Sequence, residues 1–168
     1  MNPWKERNKE EQRLLNPSFC ALLLWNAATG FATEKSRYGR LMPLEEAFLV
    51  LSMVLHKETR DALPRSPATS LAVWASENPL ARATVADRAR VLVPFTKEAL
   101  LFGGLHDLFE FPPHSVAANA DWKGKISSIL TQTSDEVRFC VKRAAFLGRW
   151  FARSGNAETV LSIIGVRP

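Results

Sequence analysis

Histidine and cysteine are sparse in this 168-residue chain, at three and two, and the scarcity removes several chemistries at once. His56, His106 and His114 form none of the HxH, HExxH or CxxC spacings that bring ligands onto one metal ion, so no metal site is expected. Cys20 and Cys140 both sit among apolar neighbours, the setting of reduced, buried thiols rather than of a disulfide framework. The eight glycines build neither a Walker nor a Rossmann phosphate loop, and no nucleophile-elbow pattern surrounds any serine. No cofactor, catalytic residue or small-molecule substrate is therefore expected. Long apolar runs are missing too. The longest, 19–25 and 47–55 with Ser52 inside it, fall short of the roughly 20 residues a membrane span needs. The opening residues carry Lys5, Glu6, Arg7, Lys9, Glu10, Glu11 and Arg13 without the apolar core of a secretory leader. These features point to a cytoplasmic protein with no membrane partner.

What the chain does contain is the material of a core. Its hydrophobic fraction is 46%, with ten Phe and five Trp, which argues against disorder. The length suits one domain, stable without metals or disulfides. We expect a charged N-terminal extension over 1–15 and a single helical domain over 16–168. A net charge of +5 biases the protein toward acidic partners, nucleic acid or acidic protein surface alike.

Helix starts are well marked. Asn16-Pro17 and Asn78-Pro79 each place an N-cap residue before a proline whose missing N–H costs nothing in the first turn. The first helix, 17–29, is apolar nearly all round and is expected to be central, ending at Gly30. A basic irregular segment with Lys35, Arg37 and Arg40 follows. Pro43 then opens a second helix, bounded by Pro64, with Glu45 and Glu46 at its positive end. Residues 64–70, PRSPATS, read as a loop too short to be called an interdomain linker. Further helices are predicted over 71–77, over 79–93 with Pro94 as the stop, and over 97–108 with Thr96 as the cap. Gly103-Gly104 either weakens the last of these or admits a close neighbour.

At residue 108 the period changes. Residues 108–111 read as a strand, Pro112-Pro113-His114 as a turn and 115–118 as the return strand, with DWKGK (121–125) continuing from it. The expected class is mainly α, one helical domain with a small β-hairpin, winged-helix-like, its wing around 108–125. Thr133 and Glu136 make a capping-box pattern for a long helix that Ser154-Gly155 breaks. Asn156 caps a final helix, with Gly165 at its C′ position.

On that long helix Arg138, Lys142, Arg149 and Arg153 fall within about 60° of one another beside a stripe of Phe139, Phe146 and Trp150. Core packing explains the aromatics. The basic seam is either a solvated face or a contact for phosphate or an acidic protein groove. Arg167, in the closing GVRP, is a further candidate contact. The wing invites a DNA reading, but helix 97–108 carries Lys97 against Glu98 and Asp107, which is poor for a recognition helix.

Four stretches carry a family resemblance: NPSFCALLLW (16–25), LEEAFLVLSMVLHKETRDALP (44–64), PFTKEALLFGGLH (94–106) and FLGRWFARSGNAETVLSIIGVRP (146–168). With these the chain resembles the middle component of the bacterial ABC-type three-component systems, relatives of Lamassu-type antiphage defence. The resemblance covers nearly all of the chain beyond its first dozen residues. It implies a non-enzymatic accessory subunit between an SMC- or Rad50-like ABC ATPase and a variable effector, often a nuclease, with DNA reached through the complex. It brings no catalytic motif. Two readings from other classes stand beside it: a winged-helix protein contacting duplex DNA directly, and a hydrolase using Cys20, Cys140 or a serine.

Overall fold

In the computed structural model, residues 7–34 and 41–166 are described. The order of elements is α1 (Lys9–Leu14), α2 (Pro17–Thr33), β1 (Met42–Pro43), α3 (Leu44–Val54), α4 (Lys57–Ala62), α5 (Leu71–Glu77), α6 (Pro79–Leu105), β2 (Phe109–Glu110), β3 (Ser115–Ala118), a short 3-10 turn (Ala120–Trp122), α7 (Lys123–Thr131), α8 (Asp135–Ser154) and α9 (Ala157–Ile164). The architecture is mainly α with a small antiparallel sheet of order β1-β3-β2, as the sequence led us to expect.

Helix α2 is the central element. Asn16 caps it, its side chain accepting from the Ser18 N–H at 2.9 Å, and Cys20, Leu23, Leu24, Trp25, Ala27 and Phe31 are buried around it. Its main partner is α8. The two helices meet through small residues. A Cβ on Gly30 would fall on the carbonyl of Ala145, and one on Gly148 on the carbonyl of Ala27. Gly30 therefore does not end α2, which continues to Thr33. Its role is to let the backbone of α8 pass against α2 where a side chain would block it.

Helix α6 departs furthest from the sequence reading. It is one helix of 27 residues running through Pro94, where two helices separated at Pro94 were expected. A proline inside a helix removes one donor. The acceptor it would serve belongs to Arg90, and both Arg90 and Pro94 are exposed, so water can meet that carbonyl. Thr96 is accordingly no cap: its hydroxyl donates back to the Leu92 carbonyl at 3.1 Å. The opposite correction applies to the predicted second helix. It stops at Val54, and His56 starts the separate α4, its Nδ1 accepting from the Thr59 N–H at 3.3 Å.

At the end of α6 the chain turns with Asp107 in the left-handed region, φ 58°, while the Leu108 N–H donates to the Gly103 carbonyl at 2.8 Å. Phe109 and Phe111 then fold back onto Gly103 and Gly104, whose missing side chains leave room for the two rings. In the sheet, Phe109 lies opposite Ala118 and Met42 opposite Val116. The hairpin was expected; the third strand β1 was not, because two residues carry no readable period. Trp25 ties the hairpin's end to α2 by donating to the Asn119 carbonyl at 3.0 Å. DWKGK does not extend a wing. It is the 3-10 turn and the start of α7.

The loop between α4 and α5 is held by the core beneath it. Trp150 donates to the Thr69 carbonyl at 2.6 Å, Trp74 to the Ala62 carbonyl at 2.9 Å, and the two indoles meet edge to face at 5.5 Å. Buried Trp rings require such partners for their N–H groups. Arg143 donates to the carbonyls of Arg60, Leu63 and Pro64, Arg60 to Val54, and Arg88 to Ser52. Three arginines from three helices thus donate to carbonyls at and just beyond the ends of α3 and α4, where intrahelical donors run out, with the Arg60 carbonyl also accepting from the Leu63 N–H.

Candidate docking surfaces

The anticipated capping box at α8 is displaced by one residue. Ser134 is the N-cap, its Oγ accepting from the Val137 N–H at 3.3 Å, because Thr133 donates instead to the Leu130 carbonyl at 2.9 Å. Glu136 is thereby freed to pair with the buried Arg60.

Along α8 the basic seam divides. Arg138 donates to the carbonyls of Leu130 and Thr133 and pairs with Asp135 at 2.5 Å, so it closes the C-terminal end of α7 while remaining partly exposed. Arg153 pairs with Glu34 at 3.4 Å. Lys142 is exposed and Arg149 partly buried, and neither has an ion pair among the described residues. Arg167 and the basic segment 35–40 lie outside the described residues. Of the aromatic stripe, Phe146 and Trp150 are buried, while Phe139 is exposed between the guanidiniums of Arg60 and Arg143, at 5.5 and 6.0 Å from its ring centre. Phe139 therefore packs with cations at the surface instead of in the core.

The larger feature escaped the sequence reading. A groove of about 750 Å³ opens between α2, the C-terminal part of α6, the 3-10 turn and α7. Phe19 and Leu22 come from α2, Phe102 and Leu105 from α6, Trp122 from the turn, Ile126 and Ile129 from α7, and Val137 from α8. A second trough of about 500 Å³ joins it by sharing Phe102 and Leu105 and continues past Leu101 to Lys97 and Pro94. A third, about 240 Å³, shares Phe19 and Val137 and ends at Leu14 and Arg13. On this surface Leu105 is 83% exposed, Leu101 69% and Ile129 53%. An apolar tract this continuous is the usual mark of an interaction site. The i, i+4 spacing of Leu101 and Leu105 is visible in the sequence, but only the placement of α7 shows that neither is covered.

The groove's acids are largely answered from within. Glu98 pairs with Arg7 at 2.9 Å and Glu136 with Arg60. Lys97 and Arg13 keep no ion pair among the described residues, and Lys125 sits 4.6 Å over the Trp122 ring. Asp107 is the remaining acid among the lining residues.

The two cysteines border these surfaces. Burial, with a smaller push from Glu98, raises the Cys20 thiol to about 12, and its Sγ contacts the Leu14 carbonyl at 3.7 Å. Burial also raises Cys140. Neither is a ready thiolate at neutral pH. Among the described residues, no three His, Cys, Asp or Glu side chains gather as a metal site would require, and no helix is long and apolar enough to cross a membrane. The hairpin residues 109–118 contain no Lys or Arg.

Comparison with known proteins returns no match among curated proteins and none among solved structures. A family model does match, over residues 4–168, and its description is ABC-three component (ABC-3C) system Middle Component 3. With practically the whole chain covered, the protein belongs to the Middle Component 3 family of ABC-three component systems.

Proposed function

We propose that the protein is a non-enzymatic bridging subunit that holds an SMC- or Rad50-like ABC ATPase together with an effector, often a nuclease, in a cytoplasmic antiphage or anti-plasmid complex of the Lamassu kind. Membership of a middle-component family supports an accessory role. The observation that carries the reading is the uncovered apolar tract running past Leu101, Leu105 and Ile129, which fits permanent association better than a catalytic cleft or a free monomer's surface. Lys142 and Arg149, on α8, supply a second and differently charged contact, so the protein has two surfaces on which two partners can sit. Co-expression of the full chain with the ATPase and the effector of the same system tests the reading. A stable complex containing all three is expected; a chain that purifies alone under those conditions contradicts it.

A second reading, direct contact with duplex DNA as a winged helix, draws on the order of the elements: a helix, a short strand, further helices and a hairpin whose return strand β3 lies between β1 and β2. Against it, the part of α6 that would face a groove exposes leucines, and the hairpin brings no cation to phosphate. Direct binding requires an affinity that falls steeply with salt and is abolished by changing Arg138, Lys142 and Arg149 to Glu. Weak or salt-insensitive binding by the isolated chain rejects it.

A further inference from the structure

We propose that the three joined grooves form a helix-docking site whose occupant is an amphipathic helix of a partner subunit, apolar stripe inward and acidic residues along its flanks. The inference rests on the bridging reading above and names the contact that would make the bridge. Three features of the surface and the chain select this occupant.

The first is shape. The walls are themselves helices, α2, α6 and α7, with an apolar channel between them, and Leu101 and Leu105 on α6 stand one turn apart as anchors for residues at i, i+3 or i+4 and i+7 of a helix laid alongside. A partner strand has nothing comparable to add to, since β1 and β2 are two residues each and offer too few backbone groups for strand addition.

The second is charge. With Glu98 and Glu136 already paired to Arg7 and Arg60, the tract sets Asp107 against three cations, Lys97 at one end, Arg13 at the other and Lys125 beside Trp122 between them. Cations around an apolar centre favour acidic residues in the partner. The third is the chain's own charge. A second copy would bring the same cations and another net +5 to the contact, which opposes self-association there. Nucleic acid is disfavoured because leucine and isoleucine occupy the centre of the tract.

Photo-crosslinking in the co-expressed complex tests the assignment. A photoreactive aromatic amino acid replaces Leu105 in one full-length variant and Ile129 in another; both side chains are more than half exposed, so folding is not at risk. Leu80, 82% exposed at the start of α6 and roughly 35 Å away along that helix, serves as the control. Crosslinks from 105 and 129, not from 80, to a partner segment with apolar residues at helical spacing and Asp or Glu on its flanks are expected. Leu105→Asp with Ile129→Asp should lower the amount of that partner retained by about tenfold or more, and Lys97→Glu with Arg13→Glu should weaken retention most at low salt. Crosslinks to a second copy, to nucleic acid or to a basic segment overturn the proposal. So does an intact complex with no crosslink at 105 and 129 and no response to the double aspartate variant, while leaving the bridging reading standing. Absence of any complex with the wild-type chain removes the bridging reading and this inference together.

Discussion

Glu46 is the residue whose chemistry departs most from its sequence context. Acids in the first turn of a helix are ordinary, and Glu45 fits that account by facing solvent. Glu46 is fully buried, and neither carboxyl oxygen has a hydrogen-bond partner among the described residues. Burial, helped by the neighbouring Glu45, raises its pKa to about 8. A raised acid binds its proton more tightly in the folded than in the unfolded state, so its effect is neutral below pH 4.5 and turns destabilising as pH rises toward 8. The shift corresponds to a penalty on the order of a few kcal/mol at alkaline pH. Glu46→Met should therefore raise the melting temperature at pH 8 and flatten its decline between pH 5 and 8, readable by thermal denaturation across that range. An unchanged pH profile contradicts the burial. Gly148 gives a second prediction at this scale. Because any side chain there meets the Ala27 carbonyl of α2, Gly148→Val should cost about 3 kcal/mol in chemical denaturation, whereas Gly124, in α7 with open space around it, should accept Val with little change or a slight gain, since glycine is the poorer helix former.

Among the elements, α7 depends on its neighbours more than on itself. It is nine residues long, with Ile126 as its buried residue, and Arg138 of α8 closes its C-terminal end. Arg138→Ala should therefore speed amide exchange across α7 while leaving α2 and α8 protected, and exchange that rises uniformly over the chain would count against this role. The same dependence explains why α7 could not be read from the sequence. KGKISSILT has no strong cap and a short apolar stripe, and tertiary contact supplies the rest. Helices with a local signal were legible: Asn16-Pro17 for α2, Asn78-Pro79 for α6, Asn156 and Gly165 for α9. What local rules misplaced were ends and breaks. Pro94 reads as a stop, yet its lost hydrogen bond faces solvent; Gly30 reads as a terminus, yet it marks a helix crossing; Thr133 reads as a cap, yet Ser134 takes the position. The basic seam shows the same limit. Its four residues share a face of α8 as the wheel requires, but only the structure reveals that Arg138 and Arg153 pair within the molecule while Lys142 and Arg149 have no ion pair among the described residues. Arg143, next to Lys142 but off the seam, donates to three backbone carbonyls.

Across the fold as a whole, one face is left apolar while, Glu46 apart, the main polar groups of the interior are met: the Trp25, Trp74 and Trp150 N–H groups find carbonyls, arginines close the ends of helices, and small residues let α2 and α8 interlock. The uncovered stretch along α6 and α7 is the feature on which the proposed association with another protein rests. The docking tract lies on the part of α6 that a DNA-reading helix would have to use, and its leucines set the two readings against each other. The most direct measurement is co-purification of the full-length chain with the ATPase and effector of its system, run side by side for the wild type and for the Leu105→Asp, Ile129→Asp variant, with circular dichroism to verify that both are folded. A three-component complex with the wild type and loss of at least one partner from the folded variant are expected; a wild-type chain that elutes alone, or binds duplex DNA in their place, overturns the bridging role.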